Sequence, residues 1–358
     1  MGSPLYSVLV TGSAGHLGAA LMLSLPSLGH VPLGIDILPS PTTTVVGSIT
    51  DRALIASLLA RNPSIAHIVH AATLHKPHVD SHPHSAFVDT NVTGTLVLLE
   101  EAAAAPRFPG DASPPSSSSR RPRPLAAPCP RARAGPPSGS TTPVPKNIYG
   151  VTKCAAEDLC ALAHRQSSLP VLVLRTARFF PEADDDADRR AALPDDANLK
   201  VCELAYRRAD IADVVSAVAC AMDRAADVGF GKYIISAPPP FSQPAIHDDD
   251  DDDDDDDRDG KVVKTQLLRR LDEDAGAALR EAVPGCAAVF EKLGWGFLGR
   301  LDRVYDSSKA VRELGWKPEW TFEKVVERLA RGEDWRSELT HRVGKKGYHA
   351  VPTGVYTS

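Results

Sequence analysis

Residues 8–18 read VLVTGSAGHLG, an apolar run that meets three glycines at three-residue spacing and passes directly into helix-forming sequence. Gly12, Gly15 and Gly18 permit a tight turn and let backbone N–H groups approach a pyrophosphate, to which the helix N-terminus adds partial positive charge. His16 and Leu17 lie inside the same loop, at the helix start. A glycine triplet alone is a weak pattern. Here a strand precedes it, a helix follows, and a second run, VPLGID, ends in Asp36 about twenty residues on. A carboxylate at that point accepts hydrogen bonds from both hydroxyls of a ribose and repels a 2′-phosphate, which selects NAD over NADP.

Outward from this loop the alternation continues. ALIASLLARN reads as a helix, IAHIVHAA as a buried strand and NVTGTLVLLEEAAAA as a helix. Further on come a helix from Tyr149 through Ala163, the strand LPVLVLRTARFF, a helix in ELAYRRADIADVVSAVACAMDRA and the strand GKYIIS. Strand–helix alternation predicts an α/β protein, a Rossmann-type doubly wound parallel sheet with helices on both faces and a smaller C-terminal substrate-binding lobe. The dinucleotide-binding domain is expected over 7–180, the lobe mainly over 181–335 with an acidic loop at 247–260, and a tail over 336–358. Two amphipathic helical stretches, REAVPGCAAVFEKLGWG and SSKAVRELGW…TFEKVVERLARG, fall in the lobe.

Composition excludes several classes. The formal net charge of −6 owes everything to ten consecutive aspartates, Asp248 to Asp257, and the rest of the chain is near neutral. Neither a nucleic-acid partner nor a membrane surface is implied. The aspartate run lacks the glycine and glutamate of a calcium loop and reads as solvated. Six cysteines show no C-x-x-C spacing, SVLVTG begins too early for a signal peptide, and no run is long enough to span a bilayer, so a reduced, cytoplasmic setting is expected.

Tyr149 stands four residues before Lys153, which puts both on one helix face, where an ammonium lowers a phenol's pKa and prepares it for proton transfer. Taken together, TGSAGHLG, Asp36, IVHAA, DTNVTGT and YGVTK resemble the extended short-chain dehydrogenase/reductase family, in particular its NAD-dependent epimerase/dehydratase group, which includes UDP-glucose 4-epimerase. The resemblance spans 7 to about 105 and 141 to about 330. It implies that Ala71 and Ala72 line the nicotinamide side of NAD, that Asn91 braces the site from its helix, that Lys153 binds the nicotinamide ribose, and that Tyr149 is the acid/base. LRTARFFPE and YRRADIADVV resemble the segments that meet a nucleotide sugar in that family. The family's aspartate falls on Asp213, but Tyr206 stands where its phosphate-binding arginine would be. Arg207 and Arg208 are the nearest substitutes, and Arg303 in RVYDSSKAVRELGWKP is a further phosphate ligand.

The family's next strand, which ends in a catalytic Ser or Thr, should follow EAAAA. Instead the chain reads PRFPGDASPPSSSSRRPRPLAAPCPRARAGPPSGS, with a composition of disorder and prolines unsuited to a central strand. Ser113 and Ser116 to Ser119 are the nearest hydroxyls by count. Either the segment is a genuine divergence that leaves a gap in the sheet, or it is coding sequence read out of frame. Both readings predict an unstable chain, with two strands left unpaired.

Three functions follow from the resemblance: an epimerase- or dehydratase-type enzyme acting on a nucleotide sugar or related alcohol, a non-catalytic NAD-binding sensor, and a 3β-hydroxysteroid-type dehydrogenase. The resemblance also leaves open a homodimer paired through two exposed helices. Four histidines in HKPHVDSHPH (His75, His78, His82, His84) invite a zinc reading, but Pro77 and Pro83 interrupt the spacing and the loop falls beside the cofactor, so no metal is expected. The sequon at Asn91 is expected to be buried, and Cys154 is expected to be a buried structural thiol.

Overall fold

A computed structural model describes residues 5–105, 125–128, 145–181, 187–241, 258–301, 303–344 and 346. The chain runs β1 (Val8–Thr11), α1 (His16–Ser24), β2 (Pro32–Asp36), β3 (Val45–Val46), α2 (Arg52–Arg61), β4 (His67–His70), α3 (His84–Phe87), a π-helix (Val88–Thr93), α4 (Gly94–Ala104), β5 (Leu125–Pro128) and α5 (Ile148–Ser167). It continues through β6 (Val171–Thr176), β7 (Arg178–Phe179), α6 (Ala187–Ala191), α7 (Asp196–Leu204), β8 (Arg208–Ala209), α8 (Ile211–Val228) and β9 (Phe230–Ile235). Five helices follow: α9 (Arg258–Ala282), α10 (Cys286–Leu293), α11 (Ser308–Leu314), α12 (Phe322–Ala330) and α13 (Glu338–Val343).

Seven parallel strands form one sheet in the order β3-β2-β1-β4-β5-β6-β9. The strand order reverses between β1 and β4, and the crevice beyond their carboxyl ends is where an open α/β sheet binds its ligand. Val8, Leu9 and Val10 are all fully buried, because helices cover both faces and alternation is not required. Val8, Val10, Leu172 and Leu174 meet Ala20, Leu21, Val214 and Val218 on one face. Leu9, Ile68, Val171 and Val173 meet Leu58, Leu98 and Cys160 on the other.

A third core gathers α7, α9, α10 and α12 around Leu199, Leu279, Phe290 and Phe322. It is joined to the sheet by carboxylates beside and within α8. Asp210, the N-cap of α8, also accepts from Ser337 N (2.9 Å) and Thr340 Oγ1 (3.0 Å). Asp213 accepts from Glu319 N at 2.7 Å and Trp320 N at 2.9 Å, and burial pushes its pKa up to about 7. The fully buried Trp316 donates its indole N–H to the Asp213 carbonyl, 3.1 Å away.

The expected gap in the sheet is absent. Leu125–Pro128 forms a strand between β4 and β6, with Ala126 opposite Val69 on one side and Leu172 on the other. Only its last residue is a proline, so Leu125, Ala126 and Ala127 keep their ladder donors. Two rows of peptide groups that would otherwise be buried and unpaired favour filling the slot even with a short strand of low β propensity. The argument for instability therefore loses its basis. Ser113 and Ser116 to Ser119, like the aspartate run and the tail beyond 346, lie outside the described residues. LPVLVLRTARFF, read as one strand, divides at Ala177 into β6 and β7, and β7 pairs with β8 in a separate ribbon.

Candidate active site

The glycine turn packs directly against the end of β4. Gly12 has φ +72°, and a Cβ there would lie 2.6 Å from the Ala72 nitrogen. A Cβ on Gly18 would lie 1.9 Å from the Gly12 carbonyl oxygen, so α1 can start this close to the turn only with glycine at that position. Gly15 is the N-cap of α1 and no side chain caps the helix, which leaves the first-turn N–H groups for a ligand. Asp36 steadies the turn: Oδ2 accepts from Ala14 N and Oδ1 from Leu38 N, both at 2.9 Å.

A cleft of about 410 Å³ opens at this edge of the sheet. Gly12, Gly15, His16, Leu17, Gly18, Asp36, Ala71, Ala72, Tyr149, Arg207 and Arg303 all line it. Lys153 is buried behind Tyr149, its Nζ 5.9 Å from the phenol ring centroid. The i, i+4 spacing thus places the pair together on α5, whose N-terminus is capped by Asn147 accepting from Gly150 N at 3.0 Å.

Asn91 does not reach the cleft. It is buried in the π-helix, and all of its carboxamide capacity is used. Oδ1 accepts from Leu74 N (2.8 Å) and Thr73 Oγ1 (2.9 Å), while Nδ2 donates to Leu74 O (2.8 Å) and Thr152 Oγ1 (3.0 Å). It therefore fixes the cleft wall to the helix that carries Tyr149 and Lys153. π-Helical turns occur frequently at functional sites.

Of the expected phosphate ligands, Arg208 is not brought to the cleft. Its side chain is fully buried, with Nε on Glu203 Oε2 at 2.7 Å. Arg207 shares the same glutamate through Nε at 2.9 Å, yet still lines the cleft. Arg207 closes the turn after α7 and Arg208 opens β8, so both reach the Glu203 carboxylate, but only Arg208 is sealed from the cleft. Tyr206 is fully buried, and the cleft is also lined by Thr176, Arg178 and Tyr305, which the sequence reading did not single out.

His75 and His78 line the cleft, their rings tilted by 50° with centroids 4.6 Å apart, and His78 Nδ1 accepts from His75 N at 3.0 Å. No group of three metal-binding side chains is arranged around an ion among the described residues. Among those residues, too, no helix is long and apolar enough to cross a membrane. Cys154 is half-buried, and burial pushes its thiol pKa up.

The cradle, the uncapped helix start and the single carboxylate of the loop fit a dinucleotide without a 2′-phosphate. Residues 8–235 match the model of the NAD dependent epimerase/dehydratase family. The chain belongs to that family. It is 30% identical over 168 residues to the UDP-glucose 4-epimerase of Erwinia amylovora, an alignment covering 43% of this chain and 47% of that enzyme. The chain spans about half the length of this curated relative. The fold resembles that of the Thermotoga maritima UDP-glucose 4-epimerase solved with UDP-glucose, with TM-score 0.53 and 17% identity over 91% of this chain and 99% of that one. It also resembles L-threonine dehydrogenase from Clostridium difficile, with TM-score 0.59 and 14% identity over 92% and 98% of the two chains. The family is thus NAD-dependent, and the Rossmann sheet is the fold these structures share.

Proposed function

We propose that this chain is an NAD-dependent enzyme that oxidises a secondary alcohol of a nucleotide sugar, with epimerisation at that carbon as the leading outcome. The observation that carries the reading is that the glycine cradle and Asp36 line the same cleft as Tyr149, Arg207 and Arg303. Gly12 to Gly18 and Asp36 would hold the dinucleotide, and the Ala71–Ala72 wall would flank its nicotinamide. NAD, when bound, supplies the hydride acceptor. Tyr149 takes the alcohol proton as the carbonyl forms and returns it on reduction, and the Lys153 ammonium buried behind it favours the phenolate. Arg207 and Arg303 orient a substrate diphosphate by charge-assisted hydrogen bonds.

The test is to add UDP-sugars to purified protein and follow the absorbance of reduced nicotinamide and the sugar's configuration by NMR. Reduction of enzyme-bound NAD, with the epimer as product, supports the proposal. Reversible NAD binding with no reduction by any UDP-sugar would instead establish a non-catalytic binding protein. One observation favours that second reading. β5 ends at Pro128, and the sequence after it offers no Ser or Thr before Ser138, while Ser113 and Ser116 to Ser119 precede the strand. A family enzyme places a substrate-holding hydroxyl just after this strand.

A further inference from the structure

Five groups, from β1, the end of β4, the π-helix and α4, form an unbroken hydrogen-bonded chain. Ala72 N lies 3.2 Å from Thr11 Oγ1, and Thr11 Oγ1 lies 2.8 Å from His70 Nδ1. His70 Nε2 lies 3.1 Å from Thr95 Oγ1, and Thr95 Oγ1 lies 2.7 Å from the Asn91 carbonyl oxygen. Thr11 is fully buried, and His70, Thr95 and Asn91 are nearly so, so none is served by bulk water.

The protons in this chain have one complete assignment. The Asn91 carbonyl only accepts, so the Thr95 hydroxyl must spend its single hydrogen there. His70 Nε2 must then be the donor to Thr95, which leaves Nδ1 as an acceptor for the Thr11 hydroxyl hydrogen. Thr11 Oγ1 in turn accepts the Ala72 N–H. Any other tautomer strands a hydroxyl proton or a ring nitrogen in the core. All the dipoles therefore point one way, an arrangement in which each bond polarises the next. A neutral ring also adds no second cation beside Lys153. Burial, followed by the Lys153 charge, pushes the His70 pKa down to about 3, in keeping with that assignment.

We infer that His70 is a positioning residue for the candidate active site, a neutral Nε2–H brace that ties the Ala71–Leu74 wall of the cleft to Asn91 and, through it, to the Tyr149–Lys153 helix. One end of the chain holds the Ala72 amide. At the other end Asn91 grips Leu74 and reaches Thr152, whose hydroxyl donates to the Tyr149 carbonyl at 3.0 Å. Wall and helix thus keep a fixed separation only while every link holds. Thr11 comes from β1, so the brace also reaches the strand that launches the glycine cradle. This role rests on the proposed use of the cleft, although the proton assignment does not.

The experiment uses ¹⁵N-histidine-labelled full-length protein and the variants His70→Asn, His70→Gln and His70→Leu. Asn places an acceptor near the Nδ1 position, Gln a donor near the Nε2 position, and Leu removes both. The His70 resonance, assigned by its loss in His70→Asn, is expected to report the Nε2–H tautomer unchanged from pH 8 to pH 5, each about the span in which a free imidazole titrates. In His70→Leu the Ala72 amide should exchange faster and the rate of NAD reduction should fall about 10–100-fold, with the sugar KM within about threefold. Asn and Gln should each recover part of that loss. An Nδ1–H or titrating His70 would overturn the inference. So would a His70→Leu protein with a lowered melting point but wild-type turnover and Ala72 exchange. If the wild type reduces no NAD with any sugar, the proposed function fails instead. The tautomer, Ala72 exchange and the NAD Kd, expected to weaken in His70→Leu, then decide the brace alone.

Discussion

Gly18→Ala sets two effects of opposite sign against each other. Gly18 lies inside α1, where alanine is the better helix former by about 1 kcal/mol. The added methyl would lie 1.9 Å from the Gly12 carbonyl oxygen, 2.6 Å from its carbon and 2.8 Å from Ser13 Cα, all backbone atoms that cannot rotate away. Ordinary contact begins at 3.4 Å, so α1 and the turn would have to part by about 1.5 Å, whereas even one extra methylene in a close-packed site costs about 1–3 kcal/mol. Parting them pulls Ala14 from Asp36 and Gly12 from Ala72, both seated at contact distance. The clash outweighs the propensity, and net destabilisation of about 1–2 kcal/mol is expected, together with at least a tenfold loss of NAD affinity as the amides leave their cradle. Urea unfolding gives the first quantity and calorimetric titration with NAD the second. A Gly18→Ala protein that is more stable than wild type and binds NAD equally well would refute the close-packed cradle.

Tyr149→Phe should lower NAD reduction by about 10²–10⁴-fold while leaving the NAD Kd within a few-fold, as measured by single-turnover kinetics and titration. Glu203→Gln leaves Arg207 and the fully buried Arg208 facing a neutral amide; denaturant unfolding should show a loss of about 3–5 kcal/mol, and an unchanged midpoint would mean the cluster is already compensated. Burial holds the His67 pKa down to about 4, so the unfolded chain binds the extra proton first. The stability this residue contributes is whole above its ordinary value of 6.5 and drains away as pH falls towards about 4. Relative to His67→Phe, the wild-type urea midpoint should fall over that window, and parallel profiles would contradict the assignment. Glu319 N donates to Asp213 Oδ1 and Trp320 N to Oδ2; Asp213→Asn replaces one of these acceptors by an N–H donor and should cost about 1–3 kcal/mol in the same assay.

The sequence determined the parts of the protein that depend on local spacing. Glycines at 12, 15 and 18 between an apolar run and a helix pattern, an acid at the end of the next run, and a tyrosine four residues before a lysine are all short-range arrangements. Each carries its geometry with it, and the structure brings nearly all of those side chains to one cleft or directly behind it. What escaped the sequence is decided across the chain. LAAP forms a central strand because β4 and β6 offer it two rows of unpaired peptide groups, a demand invisible in its own composition. Arg207 and Arg208 are equivalent in sequence, and only the ribbon of β7 and β8, with Glu203 behind it, turns one to the cleft and seals the other. Thr11, His70 and Thr95 lie up to 84 positions apart and show no joint pattern. His70 ends a strand that buries it, and a buried polar group needs partners. Which partners they were depended on the sheet and the π-helix closing around it, because hydrogen bonds of this kind are chosen by proximity in space rather than along the chain.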